Sequence, residues 1–279
     1  MATIPTDSPA TAETDVFLVD PSIKARRRDR IIVLAGQILL AIVLLGTWQA
    51  ISGRLVSTFW ISSPTAVAGA LRNMWSDGSL LPAFTVTLFE TVLGFLIGAA
   101  GGLALGILLG VNRILARIVD PYLVALNSIP RVAVIPLLIL WFGIGLETKI
   151  VFAVFLVFFP VFMNTFAGVR DVDRDLIDVL RVMGATHLDT LRRVLVPSAF
   201  VWVFAGLRVS IPFALIGAVI AEMFTSNSGL GYLISLSANH YDTAGSFAAI
   251  FVTTLLGVAL TAVVSQVERR VLRWQPTHS

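Results

Sequence analysis

Long apolar runs leave this chain few ways to fold. Stretches of about twenty residues with almost no charge recur at 31–51, 86–111, 122–144, 150–169, 199–223 and 246–266. Inside a bilayer every backbone N–H and C=O must be satisfied by the protein itself, so only helices or a closed barrel can cross. A spanning helix needs about 20 apolar residues, whereas a barrel strand shows about 10 of alternating polarity. The runs here are continuous and predict an all-α polytopic membrane protein with about six transmembrane helices. Composition agrees, with 57% hydrophobic and 13% charged residues, against about 25% charged in a soluble domain.

Charge then orients the spans. The chain has 20 Lys and Arg. With both termini inside, fifteen of them fall on the cytoplasmic side: Lys24 to Arg30, Arg113 and Arg117, five in the loop 170–198, and Arg269 to Arg273. Three, Arg54, Arg72 and Lys149, fall outside, while Arg131 and Arg208 lie within spans. Such a bias follows the positive-inside rule. Residues 1–30 read as a cytoplasmic N-terminus whose first 22 positions carry the composition of disorder. Residues 31–84 hold the first span, too long for the apolar core of a secretory signal, and an outer amphipathic segment. In that segment Ser63-Pro64 starts a short helix and Asp77-Gly78 ends it. A membrane core is expected over 85–267 and a cytoplasmic tail over 268–279.

The second run carries glycine every four residues, at Gly94, Gly98, Gly102, Gly106 and Gly110. The spacing bares one helix face for close approach of another backbone. Packing within the chain and a seam between copies both fit.

The loop 170–198 is the longest charged stretch between apolar runs. Leu176, Ile177, Leu180 and Met183 share one helical face. Gly184 follows, where a left-handed cap is cheapest. Thr186 and Asp189 are spaced as a capping box, with Asp in place of Glu or Gln. Leu188, Leu191, Val194 and Leu195 form the next apolar face, and Pro197 closes it. The pattern predicts two short helices around a turn, either a solvated loop resting on its own membrane end or a docking element.

Within this loop, Asp178-Val179-Leu180, Gly184, Val194, Val196 and Pro197 have a telling spacing. It resembles the signature of ABC-importer membrane subunits: Glu-Ala-Ala, a gap, Gly, a longer gap, then Ile, any residue and Leu-Pro. Asp178 stands for the Glu, and Val179-Leu180 for the alanines. Further short matches follow in order: IPLLILWFGIG at 135–145, GLR at 206–208, AEM at 221–223 and SGLGYLI at 228–234. Together they resemble the nitrate/sulfonate/taurine branch of importer permeases. The resemblance implies a type I, MetI-like core and a homodimer in the inner membrane. It also implies a cytoplasmic ATP-binding subunit and a solute-binding protein that meets outer loops such as 224–245. Asp178, Arg181, Gly184, Ala185, Thr186, Leu188, Asp189 and Pro197 would form the coupling segment that seats in the ATPase.

The chemistry within the chain is sparse. A phosphate-binding loop needs Gly-Lys-Ser/Thr, and the two lysines, Lys24 and Lys149, follow Ile and Thr. No cofactor is therefore expected in this chain; ATP and Mg would sit on the partner ATPase. Cysteine is absent, and His187, His240 and His278 are too scattered for a local metal motif. Hydrolase motifs such as Gly-x-Ser-x-Gly are missing. The chain therefore reads as a transporter subunit and not an enzyme. Candidate path groups are Arg208, deep in its run, Glu222 and Asn164, each with a plain structural alternative. Thr165, Asn127 and Ser128 are further polar groups within runs. Glu90 and Arg131 sit near run ends, where solvation is expected to cost little. The rival reading is a secondary transporter driven by an ion gradient, against which stands the lack of a central carboxylate and of repeated halves.

Overall fold

The computed structural model describes residues 21–171, 182–184, 186, 189, 196–225 and 227–272. The chain divides into two compact units, one ending at Ile51 and one beginning at Ser52. The first contains helix α1 (Pro21–Ile51), with Ile31–Ile51 apolar enough to span a bilayer.

The second unit opens with two short helices, α2 (Thr58–Ile61) and α3 (Pro64–Ser76). Ser63 caps α3 by accepting from the Ala66 N–H at 3.2 Å, and Pro64 fills the first turn, where a missing N–H costs nothing. Gly78, at φ +76°, turns the chain into the next helix. The second span is longer than its apolar run suggests: α4 (Leu80–Val111) begins six residues before position 86. Helix α7 (Leu146–Arg170) lies parallel to it. Helices α8 (Val196–Thr225), α9 (Leu230–Asn239) and α10 (Thr243–Val271) complete the unit.

The centre of this unit is α7, held between α4 and α8. All five regularly spaced glycines of α4 face it. A Cβ at Gly94 would meet Ala153 at 2.5 Å, and one at Gly102 the Phe158 carbonyl at 2.8 Å. The glycine strip is thus used for packing within the chain. On the other side of α7, Gly206 and Gly217 of α8 admit Asn164 and Ala153 equally closely. Ala99, Val157, Val161 and Ala214 fill the layer between the three helices. A second core joins Leu80 and Ala83 of α4 to Leu230 and Leu233 of α9 and to Ala249, Val252 and Leu256 of α10.

Residues 122–144 are interrupted at Pro130-Arg131. Helix α5 (Arg113–Asn127) stops before Pro130, a 3-10 turn covers Arg131–Val134, and α6 (Ile135–Phe142) follows. The two apolar segments meet at 89°. Pro130 lacks an N–H and pushes Ile129 out of helical geometry, which ends α5. The stretch 224–245 is more than a connecting loop, because α9 inserts Leu230 and Leu233 into the core.

Candidate functional site

Four elements meet at a buried polar cluster. Glu222, in the last turn of α8, is fully buried. Its carboxylate accepts from the Thr87 hydroxyl of α4 at 2.7 Å and from the Gly231 N–H in the first turn of α9 at 2.7 Å. The Leu230 N–H donates in turn to Thr87 Oγ1 at 2.8 Å. An anion at a helix N-terminus satisfies N–H groups that lack intrahelical partners. Gly229 makes room: it sits at φ +109°, and a Cβ there would fall 2.2 Å from the Glu222 carboxyl carbon.

Glu90, on the same helix as Thr87, is also fully buried and forms an ion pair with Lys149 of α7. Sequence reasoning placed Glu90 at a run end with easy solvation, Lys149 on the outer side and Glu222 among the path candidates; all three are buried. A buried charge is tolerated when a partner is at hand, and that partner lies on another helix, where local patterning cannot show it. Glu90 lies well inside α4, so the chain does carry a carboxylate within a span, contrary to expectation.

The other path candidates lie elsewhere. Arg208 pairs with Glu268, near the end of α10, and its side chain is half exposed. It is fourteen positions from Glu222 on α8, about 21 Å along the axis, so the two do not share one site. Asn164 donates to the Pro160 carbonyl of its own helix at 2.8 Å and packs on Gly206. Thr165 is buried against Gly106. Arg131 donates to Asn127 Oδ1 at 3.1 Å and lies 5.6 Å from the centre of the Phe213 ring.

Of the coupling segment, Val182, Met183, Gly184, Thr186 and Asp189 are described. Gly184 has φ +81°. The capping box forms in reciprocal fashion: the Thr186 N–H and hydroxyl donate to Asp189 Oδ2 at 3.2 and 2.6 Å, and the Asp189 N–H donates to Thr186 Oγ1 at 3.2 Å. Val182 and Met183 are 89% and 76% exposed. Asp178, Arg181, Ala185, His187 and Leu188 lie outside the described residues, as does the side chain of Pro197 and the N-terminal stretch 1–20. Among the described residues no group of His, Asp and Glu is arranged to hold a metal ion.

Among the described residues five helices are long and apolar enough to span a bilayer, and up to six if the bent pair is one span, which defines a polytopic helical membrane protein. Residues 102–273 match the family described as binding-protein-dependent transport system inner membrane component. Among curated relatives, SsuC of Bacillus subtilis (strain 168), named for aliphatic sulfonates transport, is 34% identical over 86% of this chain and 88% of its own length. The formylaminopyrimidine transport permease ThiX of Halalkalibacterium halodurans is 34% identical over 85% and 94%. The riboflavin transport system permease RibX of Chloroflexus aurantiacus is 34% identical over 93% and 97%. In fold, the chain is similar to the inward-facing MetNI methionine ABC transporter, with a TM-score of 0.60 and 22% identity over 72% of this chain and 97% of that one. It is also similar to an amino acid ABC transporter, with a TM-score of 0.57 and 18% identity over 74% and 98%. The chain belongs to the family of binding-protein-dependent inner membrane components: it is a permease subunit of an ABC importer, with the MetI-type helical fold, and not an enzyme.

Proposed function

We propose that this permease imports a small anionic solute of the sulfonate, taurine or nitrate type, driven by a separate ATPase gripping the segment 170–198. The observation that carries the coupling role is the exposure of Val182 and Met183, 89% and 76%, beside a turn closed by the hydrogen bonds between Thr186 and Asp189. Two bare apolar side chains in a charged loop are matched by an apolar recess on a partner. The anionic reading is supported by the likeness to SsuC.

On this reading the loop and both termini face the cytoplasm, and ATP and Mg are held by the partner. Two copies of the chain form the bundle, and a solute-binding protein delivers cargo on the opposite side. Asp178, Arg181, Gly184, Ala185, Thr186, Leu188, Asp189 and Pro197 belong to the coupling segment. Arg208 and Asn164 serve the path when Arg208 leaves Glu268, and Glu222 supports it by fixing α9. Nucleotide binding draws two ATPases together, moves the paired loops and switches the spans between inward and outward openings.

The test is uptake of radiolabelled ethanesulfonate into proteoliposomes holding the permease, its ATPase and its binding protein. Uptake should need ATP, should ignore an ionophore, and should fall with Val182→Asp/Met183→Asp as ATPase co-purification falls. ATP-driven uptake with the ATPase undiminished in that variant removes the coupling role. ATP-driven uptake of riboflavin or a pyrimidine in place of the sulfonate removes the solute reading.

A further inference from the structure

We propose that Arg131, at the break between α5 and α6, lines the water-filled path and is the cation that meets the anionic group of the solute. The choice of an anion rests on the function proposed above. Three observations converge on this position.

The first is the break itself. Two apolar segments, Ile114–Asn127 and Arg131–Phe142, meet at 89°. Ser128, Ile129 and Pro130 between them, and Asn127 at the end of the first, are exposed. Interrupted backbone at membrane depth persists where it is buried in protein or lines water, and not against lipid. Exposure excludes burial within this chain, which leaves water or the second copy, and the Arg131 guanidinium beside the break favours water.

The second is charge. Among the described residues no carboxylate forms an ion pair with Arg131, whereas Arg208 has Glu268 and Lys149 has Glu90. An uncompensated cation within a span costs at least about 2.5–3.5 kcal/mol unless water or a counter-anion reaches it. The third is aim. The guanidinium is held by the Asn127 side-chain carbonyl and by the Phe213 ring of α8. Of its five N–H donors, one is given to Asn127. The rest form a planar fork suited to two oxygens of a sulfonate or similar oxyanion.

The chain contains no cysteine, so a single introduced thiol reports on its surroundings without interference. In the full complex, Ser128→Cys is treated with sulfonatoethyl and trimethylammonioethyl methanethiosulfonates. The anionic reagent should react faster, and adding Arg131→Gln should shift the rate ratio toward the cationic reagent by about tenfold, as expected for losing one charge at close range. Arg131→Lys should restore most of the ratio. Ethanesulfonate uptake should lose about tenfold or more in kcat/KM with Arg131→Gln. Val132→Cys, half exposed on the same turn, replaces Ser128→Cys if that variant fails to assemble. A thiol that neither reagent reaches, or a ratio that Arg131→Gln leaves unchanged, overturns the assignment. A wild-type complex that shows the charge-selective labelling but imports no sulfonate keeps Arg131 on the path and removes the solute reading instead.

Discussion

Gly184 has open space where a side chain would go, yet its backbone sits at φ +81°. The bulk of a replacement therefore matters less to folding than its being an L-residue, because the left-handed region is unfavourable to any Cβ. Gly184→Ala and Gly184→Leu should lower the thermal stability of the loop equally, and Gly184→Asn less; hydrogen exchange over residues 182–189 measures this. A difference between Ala and Leu in ATPase pull-down would then report docking, not folding. Lys149 supports the opposite experiment. Removing it leaves the buried Glu90 carboxyl without its counter-ion, so Lys149→Met should cost about 3–5 kcal/mol. Glu90→Leu/Lys149→Met removes both charges and should recover most of that loss. Thermal unfolding in detergent compares the two; a double variant as unstable as the single would contradict the pairing.

Helices α4 and α7 meet through glycine, and the strip has a sharp edge. A Cβ at Gly102 would press on backbone, the Phe158 carbonyl at 2.8 Å and the Phe162 nitrogen at 3.0 Å, which cannot swing aside. One residue round the helix, a Cβ at Gly101 would rest 3.6 Å from the Phe158 ring, an ordinary contact. Gly102→Ala should sharply reduce the folded protein recovered from membranes, while Gly101→Ala should be tolerated or stabilising by up to about 1 kcal/mol; size-exclusion yield in detergent separates them. Helix α9 is held in a similar way. Gly229→Ala should release its first turn from Glu222, seen as faster hydrogen exchange at Leu230 and Gly231. These elements differ in how far the sequence disclosed them. The spans were plain because about twenty apolar residues have one solution in lipid. The capping box at Thr186 and Asp189 was plain because its partners are three residues apart. Helix α9 was read as loop because it is short and starts among Ser and Gly. The seals around Glu90 and Glu222 were hidden because Lys149, Thr87 and Gly231 come from other helices. The charge of Arg131 and an interruption at Pro130 were visible in the sequence, but the 89° angle of the break was not.

At the scale of the whole molecule, apolar side chains on α5 and α6 are left without cover. Ile114, Tyr122, Leu140 and Trp141 are 63–78% exposed, and in a bilayer lipid or another copy can cover them. If the proposed pairing is right, the purified complex should have the mass of two permeases with two ATPases, by light scattering corrected for detergent. Arg131→Glu should leave that mass unchanged, because it alters the path and not the assembly.

The ion pair between Glu90 and Lys149 also has a bearing on how the protein is made. The ribosome delivers position 90 to the membrane about 3–12 s before position 149 at ordinary elongation rates. During that interval the acidic helix has no counter-ion and its glycine groove has no occupant. It should therefore linger beside the insertion machinery, and enter lipid fully when the lysine-bearing helix emerges to clasp it. Translation paused just ahead of α7 should leave α4 crosslinkable to the translocon, and release of the pause should free it.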